Sequence, residues 1–150
     1  MGTTTKPSFA LPQGITVREV GPALIELHLQ VMGQGWGTRI TDALRSAFHS
    51  SFQESPRLAW HFMAFSGEEP VGTCSLAAHD DYGYLLGAQV LAKGRGAGAY
   101  KHLIAARLRF LQEAGIEYAV TQAMEQTSAP ILEHLGFETL FHCTTYRLEP

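Results

Sequence analysis

The chain has 150 residues, 45% apolar and 17% charged, which suits one globular domain with a sizeable core and excludes a disordered or solvating chain. A formal net charge of −3 leaves no broad basic footprint for nucleic acid. No apolar run approaches bilayer-spanning length and Met1–Ala10 lacks the apolar segment of a secretory signal, so the expectation is a cytoplasmic protein with no membrane partner and two reduced thiols, Cys74 and Cys143.

Residues 1–14 carry Pro7 and Pro12 and read as a flexible leader to a single domain, 15–150. Ile15 to Val20 alternates apolar and polar residues, a half-buried strand. Pro22 opens a helix ending near Gly33, and Gly33-Gln34-Gly35-Trp36-Gly37 reads as a mobile loop holding one large aromatic. Thr41 caps a second helix through Phe48. Leu58 to Phe65 is a strand apolar on both faces. After the turn Ser66–Pro70 come a hairpin partner, Val71 to Ala78, and a third strand, Tyr84 to Leu91. A helix from about Ala97 to Ala114 ends at Gly115. Ile116 to Met124 is the next strand, and the short return implies a right-handed crossover between parallel strands. Ser128 starts a short helix that Gly136 ends, and Phe137 to Leu148 supplies closing strands. The fold class is α/β: antiparallel strands first, then one parallel βαβ crossover.

Chemistry concentrates at that crossover. Lys93-Gly94-Arg95-Gly96-Ala97-Gly98 places three glycines and two cations in six residues, between a strand and a helix whose apolar stripe is Tyr100, Ile104, Leu108 and Leu111. Glycines bring backbone N–H groups close to a ligand, and a helix start adds unpaired donors and a positive dipole end, so the stretch reads as an anion cradle. A Walker loop fails, because Lys93 precedes the glycines. The dinucleotide fingerprint is formally met by Gly94, Gly96 and Ala99, with Glu113 or Glu117 downstream, but three antiparallel strands precede it and too little chain follows for a doubly wound sheet.

Val90, Arg95, Gly96 and Gly98 resemble the acyl-CoA loop of the GNAT acetyltransferase superfamily, V-x-P-x-x-[RQ]-G-x-G-x-[GA]; Ala92 stands for the proline and Tyr100 for the last small residue. Ser128-Ala129-Pro130-Ile131-Leu132-Glu133-His134-Leu135-Gly136-Phe137 is similar to that family's late helix. The resemblance implies a mixed sheet splayed at the parallel pair, with acetyl-CoA as co-substrate held by Val90, Leu91, Arg95, Gly96, Ala97, Gly98, Ala99, Tyr100 and Ser128. It implies a small amine or amino terminus as acceptor, with Trp36 lining the acceptor site, and direct attack in a ternary complex. A homodimer is compatible with it.

Direct transfer needs a group to take the ammonium proton and benefits from an acid near the departing thiolate. The late-helix tyrosine of many relatives is replaced by Leu132. The candidates left are Tyr146 and Tyr100 as acid, and Glu125, Asp81 and Asp80 as base. His61, His79 and His142 titrate in the right range but are more simply packing or surface groups. No metal is expected, since the seven histidines lack ligand spacing. The alternative to an enzyme is a catalytically silent acyl-CoA-binding regulatory module. Bulk at Gly98 is expected to block CoA while leaving the fold intact.

Overall fold

The computed structural model describes residues 1–149. Six strands, β1 (Gly2–Thr4), β2 (Thr16–Glu19), β3 (Ala59–Ser66), β4 (Glu69–Ala78), β5 (Tyr82–Val90) and β6 (Tyr118–Val120), form one sheet in the order β1-β6-β5-β4-β3-β2. The helices are α1 (Ile25–Trp36), α2 (Asp42–Ser50), α3 (Ala99–Glu113) and α4 (Ser128–His134). Every pairing is antiparallel except β5 with β6, where α3 makes the crossover. This is the mixed sheet that the order of patterns predicts.

The two apolar faces of β3 explain the layering. Phe62 and Ala64 join the core under α3 and α4, with Leu103, Ile104, Leu108 and Leu132, while Met63 and Phe65 join a second core under α1, with Ile25 and Leu29. Alternate side chains of one strand thus feed helices on opposite faces. Burying each such side chain contributes about 1.5–3 kcal/mol. Thr41 caps α2 as expected, its hydroxyl accepting from Leu44 N at 3.2 Å. Gly115 and Gly136, at φ +78° and +90°, follow α3 and α4 in the left-handed turns that end helices.

The structure corrects four expectations. Residues 33–36 are the last turn of α1 rather than a loop, and Gly37 caps it at φ 61°. Two glycines inside a helix are costly by propensity, but here they permit contact. A Cβ on Gly35 would lie 2.0 Å from Gln89 Oε1, and one on Gly87 would lie 3.1 Å from the Trp36 ring. The last turn of α1 therefore rests directly on β5.

The second and third corrections concern strand ends. The strand expected over 116–124 is regular only at Tyr118–Val120, because β6 leaves β5 beyond Tyr84. The closing strands expected over 137–148 do not form; this segment makes one isolated bridge, Glu138 to Gly2. Finally, the start of the expected leader is itself a strand: Gly2–Thr4 pair with Tyr118–Val120. Next to them the Thr5 hydroxyl donates to Ile116 O at 2.8 Å. Three successive β-branched threonines suit an edge strand. With β1 on the outer edge of β6, the C-terminal segment has no ladder to join, and Phe141, Tyr146 and Leu148 stand exposed.

Candidate active site

β5 and β6 pair over three residues and then part. Thr121 pins the fork: its hydroxyl donates to Leu85 O at 2.9 Å, while its own N–H turns outward to Met1 O at 2.8 Å. A bulge bends β5 at the same level. Cys74 faces Ala88 and Ser75 faces Leu86, which makes Gly87 the extra residue. Buried Arg107 of α3 fills the gap behind it, donating from Nη1 to Ser75 O at 3.1 Å and Leu86 O at 3.0 Å, and from Nε to Leu103 O at 3.1 Å. Beyond the bulge, Leu91 N–H donates to Val71 O at 2.8 Å. By strand alternation the peptide groups of Val90 and Ala88 then point away from β4, into the fork, where Val90 O accepts from Arg95 Nε at 3.4 Å.

A cavity of about 740 Å³ runs along this edge to the glycine turn. Gly96 and Gly98 hold φ of +79° and +83°, and Gly98 caps α3 in the left-handed conformation. Among the described residues, no protein group accepts from the N–H groups of Gly96, Ala97, Gly98, Ala99, Tyr100 or Lys101. Six consecutive free donors at a helix start, beside the side chains of Arg95 and Lys101 in the cavity wall, suit a diphosphate. Gly96 has nothing within 4 Å of where its Cβ would stand, which leaves ligand room there.

Most of the residues expected at the cradle line this cavity: Val90, Arg95, Gly96, Gly98, Ala99, Tyr100 and Ser128. Leu91 does not; its amide is spent on Val71 and its side chain packs in the α1-side core. Ala97 is exposed outside the wall, although its N–H is free. Lys93 turns away to Glu69, 2.7 Å from Oε1, whereas Arg95 lines the cavity and donates from Nε to Val90 O at 3.4 Å. Sequence reading missed Lys101 and Pro12. Pro12 reaches the cradle because His102 Nε2–H donates to its carbonyl at 2.6 Å.

A second cavity, of about 520 Å³, lies on the α1–α2 face of β5. Trp36, 59% exposed, lines both this cavity and the first, as does Gln89. Its floor carries two buried histidines whose rings stand 5.0 Å apart. The Thr73 hydroxyl sends its proton to Phe62 O at 3.1 Å and also bonds His28 Nδ1, so Nδ1 carries the hydrogen and Nε2 is a bare lone pair without a partner. Ser51 donates to Phe48 O at 2.7 Å and so accepts from His61 Nε2–H at 3.4 Å, and His61 Nδ1 accepts from Ser75 at 2.8 Å. Burial, with His61 nearby, lowers the pKa of His28 to about 3; burial, with Arg57 nearby, lowers that of His61 to about 4. His28 was legible as a polar residue on an apolar stripe, since α1 buries Ile25, His28 and Leu29.

These histidines make stability pH-dependent. Both bind a proton less readily folded than unfolded, so their contribution is complete above about pH 6.5 and is lost as pH falls towards 4 and then 3. Each costs at most about 1.4 kcal/mol per pH unit in that window. Thermal melts from pH 7.5 to 4.5 should show Tm falling below pH 6.5, and His28→Leu should flatten the slope.

Of the residues expected to move protons, Glu125 and Tyr100 line one cavity, and Asp81 and Tyr146 stand apart from them. Asp81 stands exposed just before β5, at the closed end of the fork, and lines none of the cavities described. Tyr146 is 88% exposed in the C-terminal segment. Glu125 is also exposed, but it lines a further cavity of about 660 Å³ between the parted strands, with Trp36, Gly87, Tyr100 and Arg107, and holds His142 Nδ1 at 2.7 Å. Tyr100 lines this cavity and the first, and burial raises its phenol pKa.

The profile of the Acetyltransferase (GNAT) family matches residues 22–137. No curated protein matches the chain. Among solved structures, the aminoglycoside N-acetyltransferase AAC(6')-Iy in complex with CoA superposes with a TM-score of 0.76 at 21% identity, over 94% of this chain and 100% of that one. An aminoglycoside acetyltransferase from an uncultured soil metagenomic sample, in complex with sisomicin, gives 0.74 at 16%, over 91% and 97%. A predicted acetyltransferase from Clostridium acetobutylicum with acetyl-CoA gives 0.69 at 14%, over 89% and 96%. At these identities the likeness is one of fold. The profile match is one of sequence and spans well over half the chain, from the approach to α1 to the residue after the turn that ends α4: the chain belongs to the GNAT acetyltransferase family.

Proposed function

We propose that the chain is an acetyl-CoA-dependent N-acetyltransferase acting on a small amine by direct attack in a ternary complex. The observation that carries this reading is the row of free N–H groups from Gly96 to Lys101, opening on a cavity that shares Trp36 and Gln89 with a second one. Structural neighbours bound to CoA, to acetyl-CoA and to an aminoglycoside support it.

Acetyl-CoA would supply the activated acyl group. The N–H row holds the diphosphate, with Arg95 and Lys101 adding charge, and the open edge of β5 at Ala88 and Val90 offers strand-like bonds to an amide-bearing arm. The Arg107-braced bulge fixes that edge, so its dipoles need not reorganise during reaction. Tyr100 is the better placed proton donor of the two tyrosines, because it lines the fork and burial keeps its phenol protonated at neutral pH. Glu125, at the mouth of the fork, takes the ammonium proton, with His142 beside it as the next carrier.

Titration with acetyl-CoA, followed by thiol release across a panel of primary amines, tests the reading. Turnover supports it; binding without release from any amine would mark a silent acyl-CoA-binding module instead. Tyr100→Phe should lower kcat roughly 10- to 100-fold with CoA affinity unchanged, and an unaltered kcat would remove Tyr100 from the mechanism.

A further inference from the structure

The second cavity has an almost uncharged wall. Met32, Leu44, Phe48 and Leu86 line it together with the Trp36 ring, and its one acidic lining residue among those described is Glu54, which is exposed. The two floor histidines are held neutral, and the Arg57 guanidinium near His61 opposes any further cation. Glu26, the nearby acid of α1, is already paired with Arg45 and His49. An ammonium taken from water into such a wall has only the exposed carboxylate of Glu54 at its rim to offset its lost hydration, and every additional ammonium repeats that cost. An apolar body gains by the same transfer.

The cavity is also specific about what it lacks. His28 Nε2 is a buried lone pair with no donor, and Gln89 Oε1, on the wall shared with the first cavity, is a second buried acceptor with none. Unpaired buried acceptors are costly, and a ligand N–H that reached either one would satisfy it. A neutral amine carries such N–H groups, and the attacking amine must be neutral.

We propose that this cavity selects an acceptor bearing one primary amine on an apolar, aryl or branched-alkyl body, and discriminates against polycationic acceptors such as aminoglycosides and polyamines. The proposal rests on the N-acetyltransferase reading and narrows its acceptor. It separates this chain from the structural neighbour that holds sisomicin.

The test uses 2-phenylethylamine, sisomicin and spermidine as probes. Each is titrated calorimetrically into the full chain saturated with CoA, where no transfer can occur, and each is then assayed with acetyl-CoA. The expected result is that 2-phenylethylamine binds and its kcat/KM exceeds that of either polycation at least tenfold. Leu44→Glu should cut that preference by tenfold or more without changing CoA affinity, and Leu44→Gln, which adds polarity without charge, should give a smaller loss and guards against a folding defect. Tighter binding or faster turnover of either polycation overturns the proposal and leaves the acetyltransferase reading standing. So does an unchanged preference in a folded Leu44→Glu protein. If none of the three probes binds, the acceptor assignment is overturned, whereas failure of CoA itself to bind overturns the reading beneath it.

Discussion

Gly96→Val is expected to weaken CoA binding by roughly 30- to 100-fold while leaving the protein folded. Gly96 sits at φ +79°, where a β-branched residue is strained by about 1–2 kcal/mol. The chain relieves that strain by rotating the turn, and the N–H groups of Gly96 to Gly98 then no longer converge. Charge-assisted bonds to a diphosphate contribute about 1.5–3 kcal/mol each, so losing one or two accounts for the factor. Gly115→Val is the control: Gly115 has the same kind of φ, +78°, with open space around it, at the far end of α3. It should cost similar stability and leave CoA affinity alone. Calorimetric titration of both variants decides the matter, and equal losses in the two would remove the cradle. Gly98 is a poorer probe than its sequence suggests. A Cβ there would stand 2.5 Å from Pro12 Cγ, so bulk would dislodge the N-terminal segment as well as disturb the cradle.

Arg107→Met should lower stability by about 3–5 kcal/mol, which for a chain of this size corresponds to a fall in Tm of roughly 10 °C or more. The substitution keeps the length and apolar packing of the side chain but removes the part-buried hydrogen bonds that the carbonyls of Ser75 and Leu86 accept beside the bulge. Arg107→Lys should lie between, since one ammonium cannot reproduce the guanidinium's bonds to three carbonyls. Differential scanning calorimetry gives the order, and a Tm for Arg107→Met within about 2 °C of the parent would show that Arg107 does not brace the bulge. Because that bulge shapes the open edge of β5, kcat should fall in both variants beyond what unfolding explains.

Arg107 and His28 share a lesson. Each sits on an apolar helical stripe, Arg107 four residues from Leu103 and from Leu111, His28 between Ile25 and Leu29. A polar residue at such a position is a visible signal that something buried needs it. Which partner it serves is not visible, because Thr73, Ser75 and Leu86 come from β4 and β5.

Local chemistry was enough for the order of elements, the two-faced β3, the Thr41 cap and the glycine turn before α3. Each depends on residues a few positions apart, so side-chain period, capping and backbone freedom act without reference to the rest of the chain. The amino-acid sequence by itself thus determined the mixed sheet and the glycine turn that opens α3. Tertiary packing decided that Gly33–Trp36 is helix, since Gly35 lets that turn close on Gln89, Trp36 rests on Gly87, and Gly33 makes room for Thr38 and Ile40. It decided that β1 rather than residues 137–148 borders β6, since two segments with strand-like patterns compete for one edge. It also decided the second cavity, where α1, α2, β3, β4 and β5 meet around His28 and His61. The physical reason is common to all three: a contact between distant segments depends on which surfaces remain free after the rest has packed, and that is a property of the whole fold.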